Sequence, residues 1–124
     1  MRWIVDGMNV IGSRPDGWWR DRRAAMTRLV TALERWADDQ SVDVTVVFEK
    51  PLTPPLSSAT VTVTNAPVSA ADSADDEIVR LVLASDDPGD LCVATSDRAL
   101  IERVRAAGAS TYPAERLRNQ IDPR

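Results

Sequence analysis

Three short apolar runs, each closed by an acid, constrain the fold of this chain more than any other feature. Arg2-Trp3-Ile4-Val5 stops at Asp6-Gly7, Val42-Asp43-Val44-Thr45-Val46-Val47-Phe48 stops at Glu49-Lys50, and Leu91-Cys92-Val93-Ala94-Thr95 stops at Ser96-Asp97. Runs this short, apolar and rich in β-branched residues suit strands covered on both faces, as in parallel sheets. Helical periodicity fills the intervals. From about Arg20 to Asp38, residues Met26, Leu29, Leu33 and Trp36 share one stripe, while Arg22, Arg23 and Arg35 fall mostly off it. Ile78, Val79, Val82 and Leu83 mark a second helix, and Leu100, Ile101 and Val104 a third that Gly108 stops. Strands alternating with helices predict a three-layer α/β/α sandwich with a mainly parallel central sheet.

The connections carry their own signals. After Gly7 the chain is expected to leave as a loop rich in Gly, Pro and Trp. Pro51, Pro54 and Pro55 with Ser57 and Ser58 predict a surface connection. Ala59 to Thr64 alternates with a period of two and reads as a half-exposed strand at the sheet edge. Asp86, Asp87 and Asp90 flank a turn and read as solvated, Ala109 to Tyr112 as a last short strand, and the polar tail from Pro113 as room for one more helical turn. With 124 residues, 44% of them hydrophobic, residues 1–124 are expected to form one domain with a real core.

Composition removes whole classes of chemistry. The chain has no histidine, which excludes Ser-His-Asp hydrolysis, Cys-His proteolysis and His-ligated zinc. Its one cysteine, Cys92, lies inside an apolar run and reads as a buried strand residue, so neither a disulfide nor a thiolate cage is available. No apolar run approaches the roughly 20 residues needed to span a bilayer, and a charge at Asp6 comes too early for a signal peptide, so a cytoplasmic protein without membrane contact is expected. A net charge of -4 argues against gripping nucleic acid by overall electrostatics, which leaves local charge to decide.

In an open parallel sheet, ligands bind at the carboxyl ends of strands, near the point where strand order reverses. Asp6, Glu49 and Asp97 sit where three strands stop, and Asp72, Asp75 and Asp76 open the second helix. Gathered carboxylates repel one another unless protons or a cation intervene. All-oxygen ligands without Cys or His select a hard ion, Mg²⁺ or Mn²⁺, which can activate water and hold a phosphate. Local structural roles compete with this reading. Asp75 and Asp76 complement the dipole of a first helical turn, Ser73 with Asp76 resembles a capping pair, and Asp97 could serve the third helix in the same way. Asp6 is harder to explain so, because an acid ending a buried strand costs desolvation.

Three blocks together resemble a known family. Val5-Asp6-Gly7-Met8-Asn9-Val10-Ile11-Gly12 is similar to the opening strand and turn of YacP-like NYN domains, a branch of the PIN-like nuclease superfamily. Asp72-Ser73-Ala74-Asp75-Asp76-Glu77 resembles that family's Glu-Thr-Ala-Asp helix start, and Val93-Ala94-Thr95-Ser96-Asp97 its Thr-Ser-Asp strand end. The resemblance covers nearly the whole chain. It implies a PIN-like fold and a metal-dependent endoribonuclease in which Asp6, Asp75 and Asp97 ligate metal directly or through water. Asp72 and Glu49 depart from the family's Glu and Asp but keep a carboxylate. Some members of the family act on ribosome-associated messages, so the resemblance extends to a ribosomal partner.

Around these acids stand further candidates. The Asn9 amide could hold the Asp6 carboxylate or a water on the ion, or simply stabilise the loop. Thr95 and Ser96 could cap the third helix or orient a phosphate. Arg14, Trp18, Trp19, Arg20, Arg22 and Arg23 combine cations with indoles that can stack on unpaired bases, and Trp18 or Trp19 could equally anchor the helix start. Arg98, Arg103 and Arg105 offer a second basic surface near Asp97. Single-stranded RNA is favoured over duplex, since an acidic domain lacks the broad basic face that shape-reading requires. A phosphotransfer receiver would need a lysine after its last strand, yet Lys50 is the only lysine, and a haloacid-type phosphatase would need an acid where Met8 stands. The remaining alternative is a catalytically inactive PIN-like module that binds RNA or protein.

Overall fold

The computed structural model describes residues 1–50, 54–66 and 73–122. Among these, strands β1 (Arg2–Asp6), β2 (Asp43–Phe48), β3 (Thr62–Asn65), β4 (Leu91–Ala94) and β5 (Ser110–Tyr112) form a five-stranded sheet in the order β3-β2-β1-β4-β5. Every pairing is parallel. Helices α1 (Gly7–Ile11), α2 (Arg22–Gln40), α3 (Ser73–Ala84), α4 (Arg98–Ala106) and α5 (Ala114–Ile121) cover the two faces. Successive strand residues point to opposite faces, so each strand feeds two cores. Val5, Val46 and Ala94 pack with Leu29, Leu33 and Leu117 of α2 and α5. Ile4, Val47 and Val93 pack with Ile78, Val82, Leu100 and Val104 of α3 and α4. The expected α/β/α sandwich is therefore present, with Cys92 buried in β4.

Strand order places the chemistry. The chain runs from β1 outward to β2 and β3, then returns across β1 to β4 on its other side. The order reverses between β1 and β4, and the crevice beyond their carboxyl ends is where such sheets bind ligands. Asp6 ends β1 there. The pairing of Val5 with Ala94 brings Thr95, the next residue of the neighbouring strand, level with it.

Several segments differ from the sequence expectation. Residues 7–11 form a short helix instead of a loop, with Val10 and Ile11 buried; one turn is too short for periodicity to register. The edge strand starts at Thr62, because the Ser58 hydroxyl accepts hydrogen bonds from the Thr60 and Val61 amides and holds the preceding residues in a turn. The tail makes a full eight-residue helix, α5, which buries Ala114, Leu117 and Arg118 at positions i, i+3 and i+4. The Arg118 guanidinium donates to the carbonyls of Val10 (3.4 Å) and Ile11 (3.1 Å) and to Asp16 (2.9 Å). A buried cation thus satisfies carbonyls at the end of α1 and is itself neutralised. At the opposite, amino edge, Arg2 donates to Asp90 (3.2 Å), Ser85 Oγ (2.8 Å) and the Asp87 carbonyl (3.0 Å), so Asp90 is a structural partner and not merely solvated.

Gly7 is the tightest point of this frame. A Cβ added there would lie 2.5 Å from the ring of Phe48, itself buried in the core. Alanine would gain about 1 kcal/mol of helix propensity, but overpacking a ring that cannot retreat costs about 1–3 kcal/mol, so the clash wins. Gly7→Ala should lower the urea midpoint without changing the slope; an unchanged or raised midpoint would show that α1 is free to shift.

Candidate active site

Asp6 occupies the N-cap position of α1, yet its side chain makes no capping hydrogen bond. It is only 6% exposed. Instead Asp6 Oδ2 accepts a 2.9 Å hydrogen bond from Thr95 Oγ1 across the reversal point. Burial pushes its carboxyl pKa up from 3.8 to about 7; the Thr95 hydrogen bond opposes this, and the charges of Asp75, Asp97 and Glu49 add to the rise. Asp6 therefore feels charges from the end of β2, the turn after β4 and the start of α3. The four acids are not already drawn into a cage. Among the described residues, no three acids stand close enough to form a ready ligand set.

The turn after β4 is held from several sides. Thr95 Oγ1, while donating to Asp6, accepts from the Asp97 amide at 3.2 Å. Asn9 Oδ1 accepts from the Ser96 amide at 2.8 Å, so Asn9 fastens α1 to this turn. Asp97 caps α4 by accepting from the Leu100 amide at 3.0 Å. Ser96 Oγ accepts from the Ala114 amide at 3.0 Å and so serves α5, not the third helix that the sequence suggested. Capping and electrostatic proximity to Asp6 coexist at Asp97; the two readings are not alternatives.

The remaining candidates separate. Asp76 is turned to α4, where Arg103 donates to it at 3.0 Å, and Arg103 is thereby withdrawn from a second basic surface. Asp72 lies outside the described residues. Arg14 donates to Asn119 (2.9 Å) and pairs with Asp122 (3.5 Å), which ties it to α5. Trp18 is half-buried against the core and carries the Arg22 guanidinium over its ring at 5.2 Å, a cation–π contact. Trp19 stands edge-on to Trp18 and remains 50% exposed. Of the two indoles, then, one anchors and one faces solvent. Arg20, Arg22, Arg23 and Arg98 are exposed, Arg23 donating to the Pro54 carbonyl at 3.0 Å. Thr95 as the direct partner of Asp6 was not legible from spacing, because sequence does not say that β4 lies beside β1.

An all-parallel sandwich with a buried acid at its reversal point defines a class of α/β domains whose ligands bind at the carboxyl edge of the sheet. Residues 3–124 match the YacP-like NYN domain, and the chain belongs to that family. Its fold is similar to a crystal structure of Rae1 (YacP) from Bacillus subtilis, with a TM-score of 0.80 and 25% identity over 98% of this chain and 74% of that one. A W164L mutant of the same protein matches with the same TM-score and coverage at 23% identity. No curated protein matches the chain significantly. Family membership gives a nuclease-type, RNA-related domain. Among the described residues no helix is long and apolar enough to cross a membrane.

The raised pKa of Asp6 has a measurable sign. A carboxyl whose folded-state pKa exceeds its unfolded value favours the fold fully below about pH 4, and that contribution is lost as pH rises to about 7, where the folded group ionises. Asp6→Asn remains neutral throughout. In EDTA it should be more stable than the parent at pH 7.5, by up to about 4 kcal/mol, with the difference shrinking toward pH 4. Urea unfolding at both pH values checks this, and a variant less stable at pH 7.5 would contradict it.

Proposed function

We propose that this chain is a metal-dependent endoribonuclease that hydrolyses phosphodiester bonds of single-stranded RNA. The observation that carries the reading is Asp6: a buried carboxyl at the reversal point, unused as a cap and acted on by the charges of three further acids. Nothing in packing rewards that arrangement, whereas a cation would relieve both the burial and the repulsion. The donor set fits Mg²⁺ or Mn²⁺. It is all oxygen, and an open arrangement with few protein ligands suits ions that keep several waters.

Asp6 would hold the ion with Asp75 and Asp97, directly or through water, and Glu49, whose charge acts on Asp6, would be a further ligand. Once bound, the ion would activate water and polarise the scissile phosphate. Thr95 fixes which Asp6 oxygen remains available, since its hydroxyl occupies Oδ2. Asn9 holds the Thr95–Asp97 turn against α1 and so keeps the two strand-end acids in register. Ser96 and Arg98 are exposed on and just after that turn, where they would contact a phosphate. Arg20, Arg22 and Arg23 would neutralise the strand to either side, with Trp19 offering a base-stacking face. A ribosomal partner would supply affinity that a chain of net charge -4 otherwise lacks.

The deciding experiment is cleavage of end-labelled single-stranded RNA in EDTA, Mg²⁺ or Mn²⁺. Cutting should require metal and disappear in Asp6→Asn; cutting that persists in EDTA, or in the variant, rejects the mechanism, and no cutting at all would favour a binding module. RNA affinity measured against salt tests the basic surface. Each lost phosphate contact should reduce the steepness of log K against log salt by about 0.7, so Arg22→Ala with Arg23→Ala should flatten it by about 1.4. An unchanged slope would place the strand elsewhere.

A further inference from the structure

Beside the acids lies a cavity of about 170 Å³ bounded by Met8, Arg22, Met26, Phe48, Glu49 and Lys50. It adjoins the site on two elements. Met8 follows Asp6 by two residues, and Glu49, on the rim, is close enough for its charge to act on Asp6. The floor is closely packed: Met26 and Phe48 are buried, and a Cβ added at Gly7 would lie 2.5 Å from the Phe48 ring. The rim carries the chain's single lysine and an arginine braced by Trp18.

We propose that this cavity is a base-binding subsite, taking the unstacked nucleobase next to the bond that is cut while Lys50 and Arg22 hold its phosphate. The proposal rests on the nuclease reading and deepens it. Size points to a single planar base, since pockets for complete drug-sized ligands begin at about 300 Å³. Lining chemistry points the same way. Two of the three methionines in the chain meet here, and their polarizable thioethers contact aromatic rings favourably while adapting to different shapes. An adaptable thioether wall also implies that purines and pyrimidines are both accepted. A free carboxylate or an aliphatic chain would satisfy either the two cations of the rim, Arg22 and Lys50, or the apolar wall, but a nucleotide satisfies both at once.

The test uses the full chain in EDTA, so that no strand is cut, with labelled decauridylate and an all-abasic ribose-phosphate decamer as probes. Filling the cavity with Met8→Trp should weaken decauridylate binding about tenfold or more while leaving the abasic decamer unchanged; Lys50→Gln should weaken both. Equal losses for the two probes, or none with Met8→Trp, reject the subsite while leaving the nuclease intact. Photocrosslinking of a 4-thiouridine decamer to the unaltered chain decides the matter without any variant. Adducts on peptides carrying Met8, Met26 or residues 48–50 are expected, and adducts confined to Trp18 and Trp19 would overturn the assignment. Failure of the unaltered chain to bind either decamer would also overturn the subsite, whereas the nuclease reading stands or falls separately on the metal-dependent cleavage assay.

Discussion

The hydrogen bond from Thr95 to Asp6 joins two strands that are 89 residues apart in the chain, and most of the working edge depends on it. An unpaired carboxylate in that position would carry the full cost of desolvation. Thr95 offsets part of this and, through the same oxygen, accepts from the Asp97 amide. The next residue is held by Asn9 and caps α5 in turn. One short turn therefore collects the end of β1, the start of α1 and the N-termini of α4 and α5. Moving any of them would move the acids relative to one another.

Much of this was legible in the sequence, and the reasons are physical. The apolar runs announced β1, β2 and β4 because strands buried on both faces leave no room for polar alternation. Long helices showed in the spacing of Leu29 and Leu33, or Leu100 and Val104. What escaped notice was short or relational. Helix α1 has one turn, and α5 presents too few apolar residues for its period to stand out from Arg116, Arg118 and Gln120. The acids were visible as strand-end residues, yet which of them face each other depends on strand order and helix phase. Asp75 and Asp76 are adjacent in sequence, but one influences Asp6 and the other pairs with Arg103.

Charge follows a similar logic. Arg14 and Arg118 look like surface cations in the sequence, but the fold consumes them with Asp16, Asn119 and Asp122 in fastening α5 to the loop after α1. Arg2 is consumed at the amino edge. Arg20, Arg22, Arg23 and Arg98 remain exposed around the start of α2 and beside Asp97, so an acidic chain still carries cations on that side.

The clasp of Arg2 with Ser85, Asp87 and Asp90 sits at the end of the sheet remote from Asp6. This fastening and the proposed chemistry thus occupy opposite ends of the same strands. Selection acting on substrate choice can therefore remodel one rim of the domain while the fastenings at the other stay untouched. For an engineer the same separation offers two independent handles: the amino edge for thermal tolerance, the carboxyl edge for a changed target.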